Sequence, residues 1–415
     1  MLHSLLPKAF GKFLSMPLLG SIADGFDDWL DVNGYARGSR ENAIHMLPRV
    51  DAALRRRRAR DVANLTHNTL HACWRDLIKV FPTNAGTVRT LERYLTVSGM
   101  IVAGGTEAAA RSAPMVLSEE YADYLREVRG FAGSTVYHHR FASRCFLNHL
   151  KTKKLSLDSI EPRDVETYIK QTGKRLSRAS LQHDIAALRG FLRFLATDGR
   201  APTGLDRQID TPRLYRLEQL PRALPWNTVT ALLRSIDTSS AMGLRDYAMF
   251  LLIATYGLRA SEVVAISLDD IRWRQKILRI HQRKTFSPLE LPLTNEVLSA
   301  LVKHLKRTPP PVPFRSVFMR MRAPNGMLKP TALTEAFQAL VRKSGLSISY
   351  QGPHCLRHSY AVRLLKNGTP LKTIGDILGH RTAESTSMYL RLATEDLREV
   401  ALAVPGRRTG KERQQ

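Results

Sequence analysis

Four short stretches between residues 257 and 389 hold the residue types of a phosphodiester-cleaving site. They are Gly257-Leu258-Arg259-Ala260-Ser261-Glu262, His354-Cys355-Leu356-Arg357-His358, Leu378-Gly379-His380, and Tyr389. A phosphodiester is already anionic, and attack on it adds charge to the non-bridging oxygens. Guanidinium groups, always charged and able to bond two oxygens at once, suit that load. A tyrosine supplies a nucleophile whose phosphate ester stores the broken bond for later rejoining. Glu262, three residues after Arg259, is within reach to orient its guanidinium.

The spacing sharpens the reading. Arg357 follows His354 by three residues, His380 follows Arg357 by 23, and Tyr389 follows His380 by nine. Together with "YGLRASEVVAISLDDI", "HCLRHSYAVRLLKNG" and "LKTIGDILGHRTAESTSMYLRLA", this register resembles the tyrosine recombinase, or phage integrase, family over at least Leu220 to Leu402. A lone His-x-x-Arg would carry little weight. Three blocks in order, matching at functional and apolar positions alike, carry much more.

The resemblance implies a role for each residue. Arg259 and Arg357 would clamp the scissile phosphate, and His380 would donate to a non-bridging oxygen. His354 would bond the same oxygens or help take the tyrosine proton, and Tyr389 would be the nucleophile. His358 reads as structural or supporting, and Tyr360 is a competing tyrosine on a helix position that the family fills with a buried residue. The family's general-acid lysine sits at a β-hairpin turn, eight residues before a Pro-Leu pair. Lys284 stands eight before Pro292-Leu293, with Arg283 beside it. Arginine is too weak an acid to give up a proton, so Lys284 is the better candidate.

Composition points to a polyanionic partner. The 415 residues include 63 Lys and Arg against 37 Asp and Glu, a net charge of +26 that favours nucleic acid. The near-apolar run from Tyr247 to Leu258 is too short to span a bilayer, so no membrane partner is expected. Three cysteines without metal-ligand spacing suit a reducing cytoplasm. No phosphate-binding Gly-x-x-x-x-Gly-Lys-Ser/Thr loop and no paired carboxylates of a two-metal nuclease stand near the motifs. No cofactor and no metal are expected.

The elements that must position these residues read as mainly helical. Trp226 to Ile236, Leu244 to Tyr256, Thr331 to Ser344 and Ser359 to Lys366 have helical apolar spacing, and Leu371, Ile374 and Leu378 line one face of a helix that Gly379 ends. Ile277 to Ile280 and Leu289 to Leu293 read as a β-hairpin. The front half repeats itself: Asp28-Trp29-Leu30 with Gly34-Tyr35-Ala36 echoes Asp123-Tyr124-Leu125 with Gly130-Phe131-Ala132. Val88, Leu91, Tyr94 and Gly99 return 100 residues later as Leu188, Phe191, Phe194 and Gly199. The expected organisation is an N-terminal helical module at 1–112, itself a degenerate repeat of the next, then a core-binding helical module at 113–205. A Pro- and Arg-rich linker at 206–225, a catalytic domain at 226–404 and a basic tail at 405–415 follow. The fold class is thus mainly α with a small β-hairpin or sheet in the catalytic domain. In the first module Arg55, Arg56, Arg57, Arg58 and Arg60 are candidates for phosphate contact, which positions a protein on DNA without specifying sequence.

By resemblance the chain would be a site-specific DNA recombinase of a mobile element, cleaving and rejoining double-stranded DNA through a 3′-phosphotyrosine. It would act as a tetramer on two sites, with accessory or sister recombinases as further partners, in a bacterial cytoplasm at the nucleoid. The helix from Thr394 to Ala403 would dock on a neighbouring subunit. Two alternatives stay open: a type IB topoisomerase-like nicking and closing enzyme, and a non-catalytic DNA-binding regulator descended from a recombinase.

Overall fold

The computed structural model describes residues 2–101, 113–215, 221–282, 288–350, 352–380 and 382–392. The chain divides into two compact units. One holds Met1–Leu14, Ile22–His45 and Gln219–Gln415, and the other holds Ser15–Ser21 and Met46–Glu218. The described residues are mainly helical with one small sheet, as the apolar spacing predicts.

Among the described residues, the first half of the chain holds ten α-helices. Short α1 (Leu2–Leu5) and α2 (Phe10–Leu14) precede α3 (Gly20–Val32), α4 (Arg37–Arg56), α5 (His67–Val80) and α6 (Gly86–Val97). Then come α7 (Ala113–Glu127), α8 (Gly133–Lys153), α9 (Pro162–Gly173) and α10 (Arg178–Thr197). Within the second unit, α7, α8, α9 and α10 close on a core that includes Tyr121, Phe146, Val165, Leu188 and Phe191. Buried Asp51 ties the start of this unit to α4, accepting from the backbone of Leu18 at 3.0 Å and Leu19 at 2.8 Å. The N-terminal residues of the first unit are pinned by a different pair: Arg40 donates twice to Asp27, at 2.8 and 2.9 Å, with both side chains buried.

The rest of the first unit is built around α12 (Ala241–Tyr256), whose residues from Ala248 to Ala254 are all buried. A helix apolar on all sides belongs in a core, and α12 is flanked by α11 (Trp226–Arg234), α14 (Asn295–Arg307) and α16 (His354–Lys366). Ser240 caps its start by accepting from Gly243 N at 3.0 Å, and Gly257 ends it in the left-handed conformation (φ 65°). That turn releases the chain into α13 (Ala260–Val264). An antiparallel sheet in the order β1 (Ile271–Arg272), β2 (Ile277–His281), β3 (Pro288–Pro292) follows, with Leu278 opposite Leu291 and Ile280 opposite Leu289. The hairpin expected from sequence is β2–β3. The two-residue β1 is too short to leave an alternating pattern.

After α14 come α15 (Pro330–Ser344), α16, α17 (Leu371–Leu378) and α18 (Glu384–Ser387), then a 3-10 stretch at Met388–Leu392. α16 begins five residues before the expected Ser359, because Pro353 stands immediately ahead of its first turn with a compatible φ of −68°. The 394–403 helix and the 405–415 tail lie outside the described residues.

Candidate active site

Four segments of the first unit, two of them at the left-handed glycines Gly257 and Gly379, bring the motif residues to one place. Gly257, at the end of α12, sits so close to α16 and α17 that a Cβ would lie 2.6 Å from Leu378 Cδ2 and 2.8 Å from Tyr360 Cδ1. Only glycine satisfies both that approach and the positive φ. Arg259 then stands as the cap of α13. Glu262, 4% exposed, accepts from Arg259 N at 2.8 Å and from its Nη1 at 2.7 Å, and Arg259 Nη2 donates to the Gly379 carbonyl at 3.1 Å. Glu262 thus holds the guanidinium by two routes, as its spacing predicts.

Arg357, 3% exposed on α16, points back towards the same turns. Its Nη1 donates to the Gly257 carbonyl, and its Nη2 donates to the Leu378 carbonyl at 2.6 Å. Both acceptors are carbonyls at helix ends, where unsatisfied oxygens are available. Burial and the neighbouring Arg259 lower the Arg357 pKa to about 10, still well above neutral pH. Two guanidiniums therefore share one partly dry site, with the Glu262 carboxylate bonded to Arg259 and near enough to act on Arg357 through charge alone.

His380 and His358 are neutral at pH 7. Burial, with Arg357 and Arg259 close by, pushes His380 down to about 4. Burial, His354 and Arg357 push His358 down to about 4 as well. His380 follows the left-handed Gly379 (φ 60°), its backbone N–H closing on the Gly375 carbonyl at 2.9 Å, and its Nδ1 lies 2.8 Å from Thr386 Oγ1. A Cβ on Gly379 would meet the Gln282 side chain, so this turn too depends on glycine.

Tyr389 is 1% exposed, packed with Ala361, Ile374 and Leu378, and its ring stacks on His380 at 6.3 Å. Its phenol lies 3.0 Å from His358 Nδ1. Burial raises the Tyr389 pKa, while Arg357 and Arg259 oppose that rise. Sequence reasoning set His358 aside as structural or supporting. The signal that could have raised it is its four-residue spacing from His354 on one helix face, and the two rings meet edge to face at 4.5 Å.

Arg259, Glu262, His354, Arg357, His380 and Tyr389 thus come together, joined by His358. Lys284 lies outside the described residues. Arg55, Arg56, Arg57, Arg58 and Arg60 belong to the second unit. Arg55 pairs with Asp51 at 2.8 Å and Arg57 with Asp76. Arg55, Arg58 and Arg60 line a cavity of about 520 Å³ with Pro17 and Leu18. Among the described residues no group of three or more His, Cys, Asp or Glu is placed to hold a metal ion, and no helix is long and apolar enough to cross a membrane.

The phage integrase family matches residues 222–396, and the phage integrase N-terminal SAM-like domain matches residues 118–199. A protein of Sinorhizobium fredii named as an integrase/recombinase, y4rA, is 30% identical over 401 residues, 95% of this chain and 97% of its own. The tyrosine recombinase XerD of Listeria monocytogenes serotype 4b is 28% identical over 292 residues, 68% of this chain and 96% of its own. Among solved structures, the Tn1549 transposon integrase in complex with a circular intermediate DNA shares the fold. Its TM-score is 0.53 at 18% identity, over 69% of this chain and 99% of that one. The XerH recombinase bound to its palindromic difH substrate also shares it, with a TM-score of 0.53 at 18% identity over 68% and 83%. The chain belongs to the phage integrase, or tyrosine recombinase, family.

Proposed function

We propose that this chain is a site-specific DNA recombinase of a mobile element that breaks and rejoins duplex DNA through Tyr389. The observation that carries the reading is the buried Tyr389 phenol, hydrogen-bonded to a neutral histidine and flanked by two arginines. Tyr389 Oη attacks the phosphorus, forming a 3′-phosphotyrosine, and the 5′-oxygen leaves with a proton from Lys284. His358 Nδ1, unprotonated at neutral pH, accepts the phenol proton, and His354 supports it edge to face. Arg259, Arg357 and His380 stabilise the non-bridging oxygens. A 5′-hydroxyl from a second duplex then attacks the phosphotyrosine, reversing each bond change and freeing Tyr389. Every charge in this cycle is met by a side chain, so neither metal nor nucleotide is required.

In this reading residues 1–112, 113–205 and 226–404 serve as an N-terminal module, a core-binding module and the catalytic domain. Arg55 to Arg58 and Arg60 add phosphate contacts. A homotetramer on two sites, assisted by sister recombinases, would act on nucleoid DNA in the cytoplasm. The test is a plasmid carrying two copies of the element-end junction, incubated with the protein in excess EDTA without ATP. Recombinant circles are the expected product. Relaxed plasmid without recombinants would support the nicking-closing alternative, and loss of all activity on chelation would refute the metal-free cycle.

A further inference from the structure

The four-helix run that carries the SAM-like match has a forerunner in the chain. α3, α4, α5 and α6 occur in the same order as α7, α8, α9 and α10, and the likeness extends to backbone detail. The chain turns left-handed after α3 at Gly34 (φ 79°), after α4 at Arg58 (φ 63°) and after α6 at Gly99 (φ 68°). It does so again after α7 at Gly130 (φ 61°), after α8 at Lys154 (φ 56°) and after α10 at Gly199 (φ 67°). Left-handed non-glycine residues are uncommon, and Arg58 and Lys154 are two of the three among the described residues. The closing hydrogen bonds recur too. Ala59 N reaches Leu54 O at 3.2 Å as Leu155 N reaches Leu150 O at 3.0 Å, and Met100 N to Leu95 O matches Arg200 N to Leu195 O, both 2.9 Å.

Shared buried positions would follow from a shared fold alone. Shared exposed charge would not, because a solvated position accepts almost any polar residue. Yet Arg75 and Lys79 of α5 stand where Lys170 and Lys174 stand at α9, and all four are exposed. Arg93 of α6 likewise matches exposed Arg193 of α10, whereas Arg189, at the position of exposed Arg89, is half-buried and donates to the Ile209 carbonyl. At the ends of α4 and α8, Arg55 and Arg58 match Lys151 and Lys154. Arg89 stacks over Trp74 at 4.4 Å, which gives that cation a partner within the protein. Arg75 and Lys79, four residues apart, project from one face of α5 into solvent.

We propose that residues 20–101 repeat the chain pattern of the module at 113–201, with Ile22–His45 of this repeat falling in the other compact unit, and that Arg75 and Lys79 of the repeat bind the phosphate backbone of duplex DNA. The proposal rests on the recombinase reading above and adds to it a second, homologous DNA-binding module on the same chain. Two such modules on one chain make the second contact intramolecular, which raises the residence of the protein on DNA without new specificity.

The test uses the full chain and a random-sequence duplex, with affinity measured across a series of KCl concentrations. Each phosphate neutralised contributes about 0.9 to the log–log salt slope. R75A/K79A and K170A/K174A should each flatten the slope, by up to about 1.8. An unchanged slope for R75A/K79A would overturn the proposal and leave the first copy as a protein-contact module. In the unsubstituted protein, bound duplex should protect both Lys79 and Lys174 from acetylation. Equal labelling of Lys79 with and without DNA would overturn it independently of any effect of substitution on folding. Failure of the wild-type protein to form a covalent DNA adduct would instead count against the recombinase reading and leave the salt slopes to be judged alone.

Discussion

The arginines of the candidate active site and those at the end of α4 are the same residue in opposite surroundings. Arg357 is 3% exposed and bonded to two backbone carbonyls, and burial, with Arg259 close by, lowers its pKa to about 10. Arg55, Arg58 and Arg60 are exposed around an open cavity. Buried Arg357 and half-buried Arg259 provide a field fixed in advance by their hydrogen bonds, so position decides its worth. The exposed cations act by number, each adding a small attraction that salt screens. Substitutions in the two regions should therefore differ in kind as well as size.

Arg357→Ala should have the largest effect. Losing one preorganised donor to the developing charge costs about 10²–10³ in rate, read in single-turnover cleavage of a suicide substrate. The Gly257 and Leu378 carbonyls also lose their donor, a further destabilisation of about 1–3 kcal/mol that urea unfolding would register. Arg357→Lys should fail to recover activity, because one ammonium cannot span both carbonyls and a phosphate. Full activity in either variant would break the comparison.

His358→Phe should come next, slowing cleavage by about 10² through loss of a proton acceptor. The sign of its pH dependence separates this role from a packing role. With the wild type, cleavage should hold from neutral pH downward until His358 protonates near its pKa of about 4. In the variant the phenol must ionise unaided, and burial has raised its pKa, so the rate should climb steadily as pH rises above neutral. A variant with a reduced but pH-flat rate would assign His358 to packing alone.

Gly257→Ala should cost stability more than chemistry. A left-handed alanine is unfavourable by about 1–2 kcal/mol, and its Cβ would press on Leu378 and Tyr360. A thermal melt reads the loss. At the other end of the range, Arg60→Ala should lower the log–log salt slope of DNA binding by about 0.9 and leave the melt unchanged.

The site was legible in the sequence where chemistry is tied to spacing along the chain. Arg259 with Glu262 is a single turn, and the End-of-helix glycines Gly257 and Gly379 announce the bends that bring Arg259 and His380 inward. His358 was not legible, because its meaning depends on α16 starting at His354 and on Tyr389 returning to that face from 31 residues away. The two-stranded hairpin followed from alternation, whereas β1, with two residues, left no period to read. Repetition in the front half showed as matched apolar positions. Matched left-handed residues at Arg58 and Lys154 could not be foreseen, since neither residue type favours that conformation.

Trapping on a nicked suicide duplex, with the adduct digested and the modified peptide sequenced by mass spectrometry, tests the central claim most directly. The 3′-phosphate should be found on Tyr389, and Tyr389→Phe should form no adduct while still binding the duplex. A phosphopeptide carrying Tyr360, or an adduct formed by Tyr389→Phe, would contradict it.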